Sequence, residues 1–247
     1  NNIKCRQTGL NPDLIVIVAT IRALKYHGGI EVKDLNELNM RALEEGFTNL
    51  QRHIKNSNEH YAKNVVVAIN YFASDTDEEI AYVQKAVNNL GFEAVVCRHW
   101  AEGPKGAAEL ATKVLLLTEG KKSSPIKFMY KDEDSIQEKI KAIATNIYHA
   151  KEVVYEDLAQ EQLNDLATKY MKFPVCIAKT PYSFSSDPKL KGAASDHSLI
   201  VKEIKLARGA EFLVIICGSV MTMPGLPMKP ASENMSVNDK GQIEGLS

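Results

Sequence analysis

The stretch Asn11-Pro12-Asp13-Leu14-Ile15-Val16-Ile17-Val18-Ala19 decides the fold class. A turn signal is followed by six apolar residues, mostly β-branched, with no polar residue alternating between them. That pattern suits a strand covered on both faces, as in a parallel sheet. A second such run, Asn64-Val65-Val66-Val67-Ala68-Ile69-Asn70, leads into Ser74-Asp75-Thr76-Asp77-Glu78-Glu79, whose hydroxyls and carboxylates read as a helix N-cap and first turn. Gly91 to Val96 predicts the next strand, followed by a helix over 106–117, a strand over 126–129 and a helix over 135–148. Strands and helices alternating in this way argue for an α/β fold built of parallel-sheet βαβ units with right-handed crossovers.

The remaining segments are read around that frame. From Val32 to Tyr61, Leu35, Leu38, Met40, Leu43, Phe47 and Leu50 recur at helical spacing, which predicts one long helix interrupted near Gly46. Val175–Ala178, Leu199–Leu206 and Glu211–Cys217 read as strands, and Asn238-Asp239-Lys240-Gly241 as a hairpin turn. Between them, 182–198 is a loop rich in Ser, Pro, Lys and Gly. Loops that long in compact domains are usually functional or disordered.

Composition narrows the function classes. A chain of 247 residues, 45% hydrophobic and 25% charged, buries a sizeable core, and its formal charge of -1 carries no electrostatic footprint for nucleic acid or an anionic membrane. No apolar run is long enough to span a bilayer, and no secretory signal is seen. Cys5, Cys97, Cys176 and Cys217 have neither metal-ligand nor redox-motif spacing, so free thiols in a reducing cytosol are expected, and no metal site. His27, His53, His60, His99, His149 and His197 also lack ligand spacing.

Candidate binding residues cluster after the strands. No stretch fits the Walker A pattern, and Gly103-Pro104-Lys105-Gly106 and Gly120-Lys121-Lys122-Ser123 lack its glycine spacing. Phe72 and Trp100 each fall just past the carboxyl end of a predicted strand, where open α/β sheets bind ligands. Two readings fit them: stacking on a flat heterocycle, or packing over the sheet end. Arg22, Lys25 and His27-Gly28-Gly29 follow the first strand, a place suited to an anion, although a helix closed by glycine explains the turn as well. The segment Met221–Pro227 reads as a pocket wall or subunit contact. No catalytic residue can be assigned from spacing.

Taken in order, "NPDLIVIVATIRALKYHGG", "VVVAINYFASDTDEEI", "RHWAEGPKG", "PVCIAKTPYSFSSDPKLKGA" and "MTMPGLPMKPA" make the chain resemble the formate–tetrahydrofolate ligase family, in its carboxyl-terminal portion. The resemblance implies a P-loop NTPase-like fold represented only by its carboxyl-terminal part. It divides the chain into a remainder of the nucleotide-binding domain (1–60), an α/β domain carrying the stacking aromatics (61–163) and a carboxyl-terminal α/β domain beside the adenine pocket (164–247). It implies a cytoplasmic ATP-dependent ligase in which formate is phosphorylated and formyl phosphate then acylates N10 of tetrahydrofolate. ATP with Mg and tetrahydrofolate are the implied co-substrates, with a monovalent cation, and the implied partners are the amino-terminal portion bearing the P-loop and further copies in a homotetramer. Phe72 and Trp100 would sandwich the pterin. Ser183, Asp187 and Gly192, in the loop 183–193, would border the adenine. A chain without the P-loop is expected to be inactive alone, and a non-catalytic folate-binding or assembly fragment is the alternative.

Overall fold

The computed structural model describes residues 2–120, 124–220, 228–241 and 243–245. A short helix, α1 (Lys4–Thr8), precedes β1 (Leu14–Ala19), α2 (Ile21–His27) and α3 (Met40–Lys55). Then come β2 (Asn64–Asn70), α4 (Asp77–Asn89), β3 (Glu93–Cys97), the single-turn α5 (His99–Glu102) and α6 (Ala108–Thr118). Strands β1, β2 and β3 form a sheet in that order, and both pairings are parallel, as the apolar runs predict. Central β2 is covered on both faces. Val65, Val67 and Ile69 pack with Leu43, Phe47 and Leu50 of α3 and Ile80, Val83 and Val87 of α4, while the alternate residues Val66 and Ala68 are also buried.

The second half begins with α7 (Ile136–Asn146), β4 (Glu152–Tyr155), α8 (Asp157–Ala167), β5 (Val175–Ala178), β6 (Ser198–Ala207) and β7 (Phe212–Cys217). Its sheet has the order β4-β6-β7-β5 and departs from the all-parallel expectation. β4 and β6 are parallel, as are β5 and β7, but β6 and β7 are antiparallel. Only Arg208–Glu211 joins β6 to β7, too short a link for a parallel crossover. A two-residue ladder, β8 (Ser236–Val237) with β9 (Ile243–Glu244), flanks the turn read at 238–241, where Gly241 N–H donates to Asn238 O at 2.9 Å. The segment Met221–Pro227 lies outside the described residues.

Several sequence expectations are corrected. Residues 126–129 form no strand: side chains take two of their N–H groups, Ile126 N–H donating to Asn11 Oδ1 and Met129 N–H to Asn2 Oδ1, and Lys127 N–H donates to Tyr61 O at 3.4 Å outside any ladder. The helix expected over 32–61 starts only at Met40, where the Asn39 side chain accepts from Ala42 N–H, and it runs through Gly46 without a break. The divisions at 60 and 163 do not follow the cores. β1 and β2 are hydrogen-bonded neighbours across the first, and the second falls inside α8, whose Leu163 is buried among Ile140, Val175 and Leu199. One core lies within Ala19–Val96 and the other within Tyr130–Cys217.

Gly28 and Gly46 have a packing reason beyond helix termination. A Cβ on Gly28 would lie 1.8 Å from Ala42 O, and one on Gly46 would lie 1.8 Å from Leu24 O, so α2 and α3 cross with their backbones in contact. On an isolated helix Gly46→Ala would stabilise by about 1 kcal/mol. Here the methyl must push two helices apart, and the variant should lose about 2 kcal/mol and melt several degrees lower in a thermal unfolding curve. A higher melting temperature would show that the crossing is not tight.

Candidate functional site

A parallel sheet brings every strand's carboxyl end to one edge. β1 delivers Arg22 in the first turn of α2, β2 delivers Tyr71 and Phe72, and β3 delivers Arg98 and the α5 turn that carries Trp100. Asn70 is in register with Cys97, and Tyr71 N–H extends the ladder to Cys97 O at 3.0 Å. Phe72 and Trp100 therefore leave adjacent strands at the same end. Their rings do not touch each other among the described residues. Phe72 is 40% exposed and Trp100 is 89% exposed, so neither ring is buried over the sheet end. Gly106 holds the α5 turn close: it accepts from Arg98 N–H at 2.9 Å, and a Cβ there would lie 2.4 Å from the Arg98 carbonyl carbon.

The Phe72 backbone is tied down by one carboxylate. Asp75 Oδ2 accepts from Phe72 N–H at 2.8 Å, and Asp75 N–H returns a bond to Phe72 O at 2.9 Å. Asp75 is 7% exposed and its Oδ1 is buried without a hydrogen-bond partner. Burial and the nearby Glu79 push its carboxyl above the usual range against the Phe72 N–H, Lys25 and Arg22. Beneath it, Thr76 and Glu79 form a capping box at the start of α4, as the residues Ser74 to Glu79 predict. Glu79 also accepts from Lys25 Nζ at 2.8 Å in an ion pair with both side chains within 1% of full burial. Lys25 Nζ donates as well to Glu37 O at 2.8 Å. Lys25 is therefore a structural cation and not the exposed anion contact that its position implied, whereas Arg22 remains at the strand ends.

The loop 180–195 forms a second locality, docked on α2 and α3. Asn49 Nδ2 donates to Gly192 O at 3.0 Å, and Arg52 donates to Ala193 O, Ala194 O and Ser195 Oγ. Ser183 is buried: its Oγ meets Ser185 Oγ at 2.9 Å and accepts from Ser185 N–H, while its carbonyl accepts from Lys179 Nζ. Burial lowers Lys179 to about 8. Asp187 is exposed, and its Oδ1 accepts from Lys189 N–H. Gly192 lines a cavity of ≈ 360 Å³ together with His27, Gly28, Gly29 and Thr48. Ser183 and Asp187 shape the loop rather than face that space. Beside them is a group the sequence did not single out: Lys191 Nζ lies 3.3 Å from the Tyr26 ring centroid, and Tyr26 meets Tyr182 edge-on at 5.8 Å. Arg98 was likewise missed, although its place directly after a buried strand was a usable signal.

The thiols of Cys97, Cys176 and Cys217 are free, with Cys97 and Cys217 buried, and burial pushes the Cys217 thiol up to about 12. No cluster of metal-ligating side chains exists among the described residues, and no described helix is long and apolar enough to cross a membrane.

A sequence model of the formate–tetrahydrofolate ligase family matches residues 1–247. The chain is 49% identical over 245 residues to the formate–tetrahydrofolate ligase of Methylococcus capsulatus and 50% identical over 248 residues to that of Rhizobium etli. It is 48% identical over 246 residues to the ligase of Pelagibacter ubique. Each match takes 99% of this chain but 44% of the relative, so the chain spans less than half the length of the curated relatives it matches.

The ion pair under Phe72 sets a stability test. Burial alone would raise the Glu79 carboxyl, but the bonds from Lys25 and Thr76 outweigh it and hold it below its ordinary value. Glu79 thus adds stability that is complete above the unfolded carboxylate value of about 4.3 and is lost as pH falls through the lower folded value. Lys25→Met strands a buried charge and should cost about 3 to 5 kcal/mol at neutral pH in denaturant unfolding. Removing both charges, with Lys25→Met and Glu79→Gln, should recover part of that loss.

Proposed function

Because this chain belongs to the formate–tetrahydrofolate ligase family, we propose that it is the carboxyl-terminal portion of an ATP-dependent ligase that makes 10-formyltetrahydrofolate from formate and tetrahydrofolate. In this reading Phe72 and Trp100 hold the pterin between them. The observation that carries it is the exposed indole of Trp100, delivered beside Phe72 at the carboxyl edge of adjacent parallel strands, where a flat ligand gains apolar contact on stiff side chains.

The reaction proceeds in two transfers. A formate oxygen takes the terminal phosphoryl group of ATP as ADP leaves, giving formyl phosphate; N10 of tetrahydrofolate then attacks the formyl carbon, phosphate leaves and N10 loses its proton. The chain's own part is to fix the pterin plane so that N10 meets the formyl carbon, through the Phe72 loop that Asp75 ties down and the α5 turn that Gly106 holds. The loop bearing Ser183, Asp187 and Gly192 borders the adenine. The P-loop, and with it the site for the ATP phosphates and Mg, belongs to the amino-terminal portion of a P-loop NTPase-like fold, since no Walker A pattern occurs in these residues. The outer edge of β1 supports such a neighbour. It is an edge strand with no proline or charge to protect it, and Val16 and Val18 are 42% and 66% exposed. The reading extends to a cytoplasmic homotetramer that uses a monovalent cation, as the resemblance implies.

Two measurements test this function. The 247 residues alone should form no 10-formyltetrahydrofolate from formate, ATP and tetrahydrofolate, and sustained ATP-dependent product would overturn the placement of the phosphate site. In the complete ligase, Trp100→Ala should raise KM for tetrahydrofolate about tenfold, the loss of about 1 to 3 kcal/mol expected for a stacked ring, with a smaller change in kcat. Equal losses for all three substrates together with a lower melting temperature would return Trp100 to a packing role.

A further inference from the structure

Arginine carries five N–H donors in a planar fork, and the other half-buried arginines here use theirs. Arg6 donates to Asp132 and Tyr130 O, and Arg52 to the carbonyls of Ala193 and Ala194. Arg22 and Arg98 differ. Both are half-buried at the strand ends, yet neither guanidinium has a hydrogen bond or ion pair among the described residues. Each has an aromatic ring instead: Arg98 Cζ lies 3.7 Å from the Tyr71 ring centroid and Arg22 Cζ lies 5.8 Å from that of Phe72.

A guanidinium laid over a ring keeps its edge free, and that edge matches a carboxylate with two parallel N–H···O bonds. The pair is therefore stacked in place without a counter-ion. Asp75, the acid that senses Arg22, does so only through space and directs Oδ2 to Phe72 N–H. Strands in a sheet are about 4.8 Å apart, so residues leaving β1 and β3 flank the Tyr71-Phe72 loop at roughly 10 Å from one another. Arg98 also stands two positions before Trp100.

Resting on the reading of Phe72 and Trp100 as the pterin stack, we propose that Arg98, assisted by Arg22, binds the carboxylates of the glutamate tail of tetrahydrofolate. A ligand stacked on those two aromatics leaves its tail to run along the same sheet edge, where the two free forks sit. The tail's carboxylates supply the anion that the chain itself does not.

The test uses the full-length ligase carrying these residues, with Arg98→Gln, Arg98→Lys and Arg22→Gln. Arg98→Gln should raise KM for tetrahydrofolate about tenfold, the loss expected for charge-assisted hydrogen bonds, and Arg98→Lys, which keeps charge but loses the fork, by about threefold. Arg22→Gln should have the smaller effect of the two Gln variants. Neither KM for ATP nor KM for formate should move, and the inhibition constant of 6-methyltetrahydropterin, which has the ring but no tail, should be unchanged. Equal losses for the tailless pterin, a loss confined to ATP or formate, or no loss at all would each overturn the assignment. Trp100→Ala in the same assays separates the two proposals. If it spares both the tailed and the tailless ligand the stack fails, whereas a stack that weakens both beside an Arg98 variant that discriminates nothing sinks the arginine proposal alone.

Discussion

Parallel pairing of β1, β2 and β3 is the constraint on which the candidate site depends. In an antiparallel sheet the residues after successive strands leave at opposite ends, so Phe72 would be separated from Arg22 and Arg98 by the length of a strand. The register of Asn70 with Cys97 instead sets Tyr71-Phe72 beside Arg98 and the Trp100 turn. Parallel pairing in turn requires long crossovers, and α3 with its preceding segment and α4 are those crossovers. They bury the Val65, Val67 and Ile69 face of β2, and α6 packs on the sheet as well, so that Val66 and Ala68 are buried too and the pairing is stable.

The crossovers also connect the site to the second half of the chain. α3 packs one face against the sheet through Leu43, Phe47 and Leu50, and its polar residues Asn49 and Arg52, with Asn56 just past its end, reach out to carbonyls at Gly192, Ala193, Ala194 and Ile147. One helix thus serves the first core and the docking of the 180–195 loop. Its close approach to α2 at Gly46 carries that coupling towards Arg22 and the buried Lys25–Glu79 pair. The charge pair has a local purpose in the same chain of contacts, since Glu79 closes the capping box of α4 directly after the Asp75 turn that fixes Phe72.

Features with a local cause were legible in the sequence. The continuous apolar runs reported β1 and β2 as strands, although two-sided burial holds for β2 alone and Val16 and Val18 of β1 are exposed, and Thr76 and Glu79 reported the start of α4 because capping acts over three residues. Phe72 and Trp100 could be placed at a sheet edge from strand ends alone. By contrast, the helical spacing of Leu35 and Leu38 was misleading: Asn39 caps the helix after them, and the short-range competition between a polar side chain and the backbone outweighed the apolar period.

What the sequence determined by itself was therefore the α/β class, the family resemblance and the aromatics after two buried strands, because burial pattern and capping are written in neighbouring residues. The tertiary structure alone decided the rest. It made β6 and β7 antiparallel, turned 126–129 into a side-chain-held segment, buried the Ser183 hydroxyl and left Arg98 stacked on Tyr71 without a counter-ion. Each of these depends on which distant group reaches a donor, acceptor or ring first. Tyr71 and Arg98 are 27 positions apart in sequence, and only strand pairing brings ring and guanidinium to 3.7 Å.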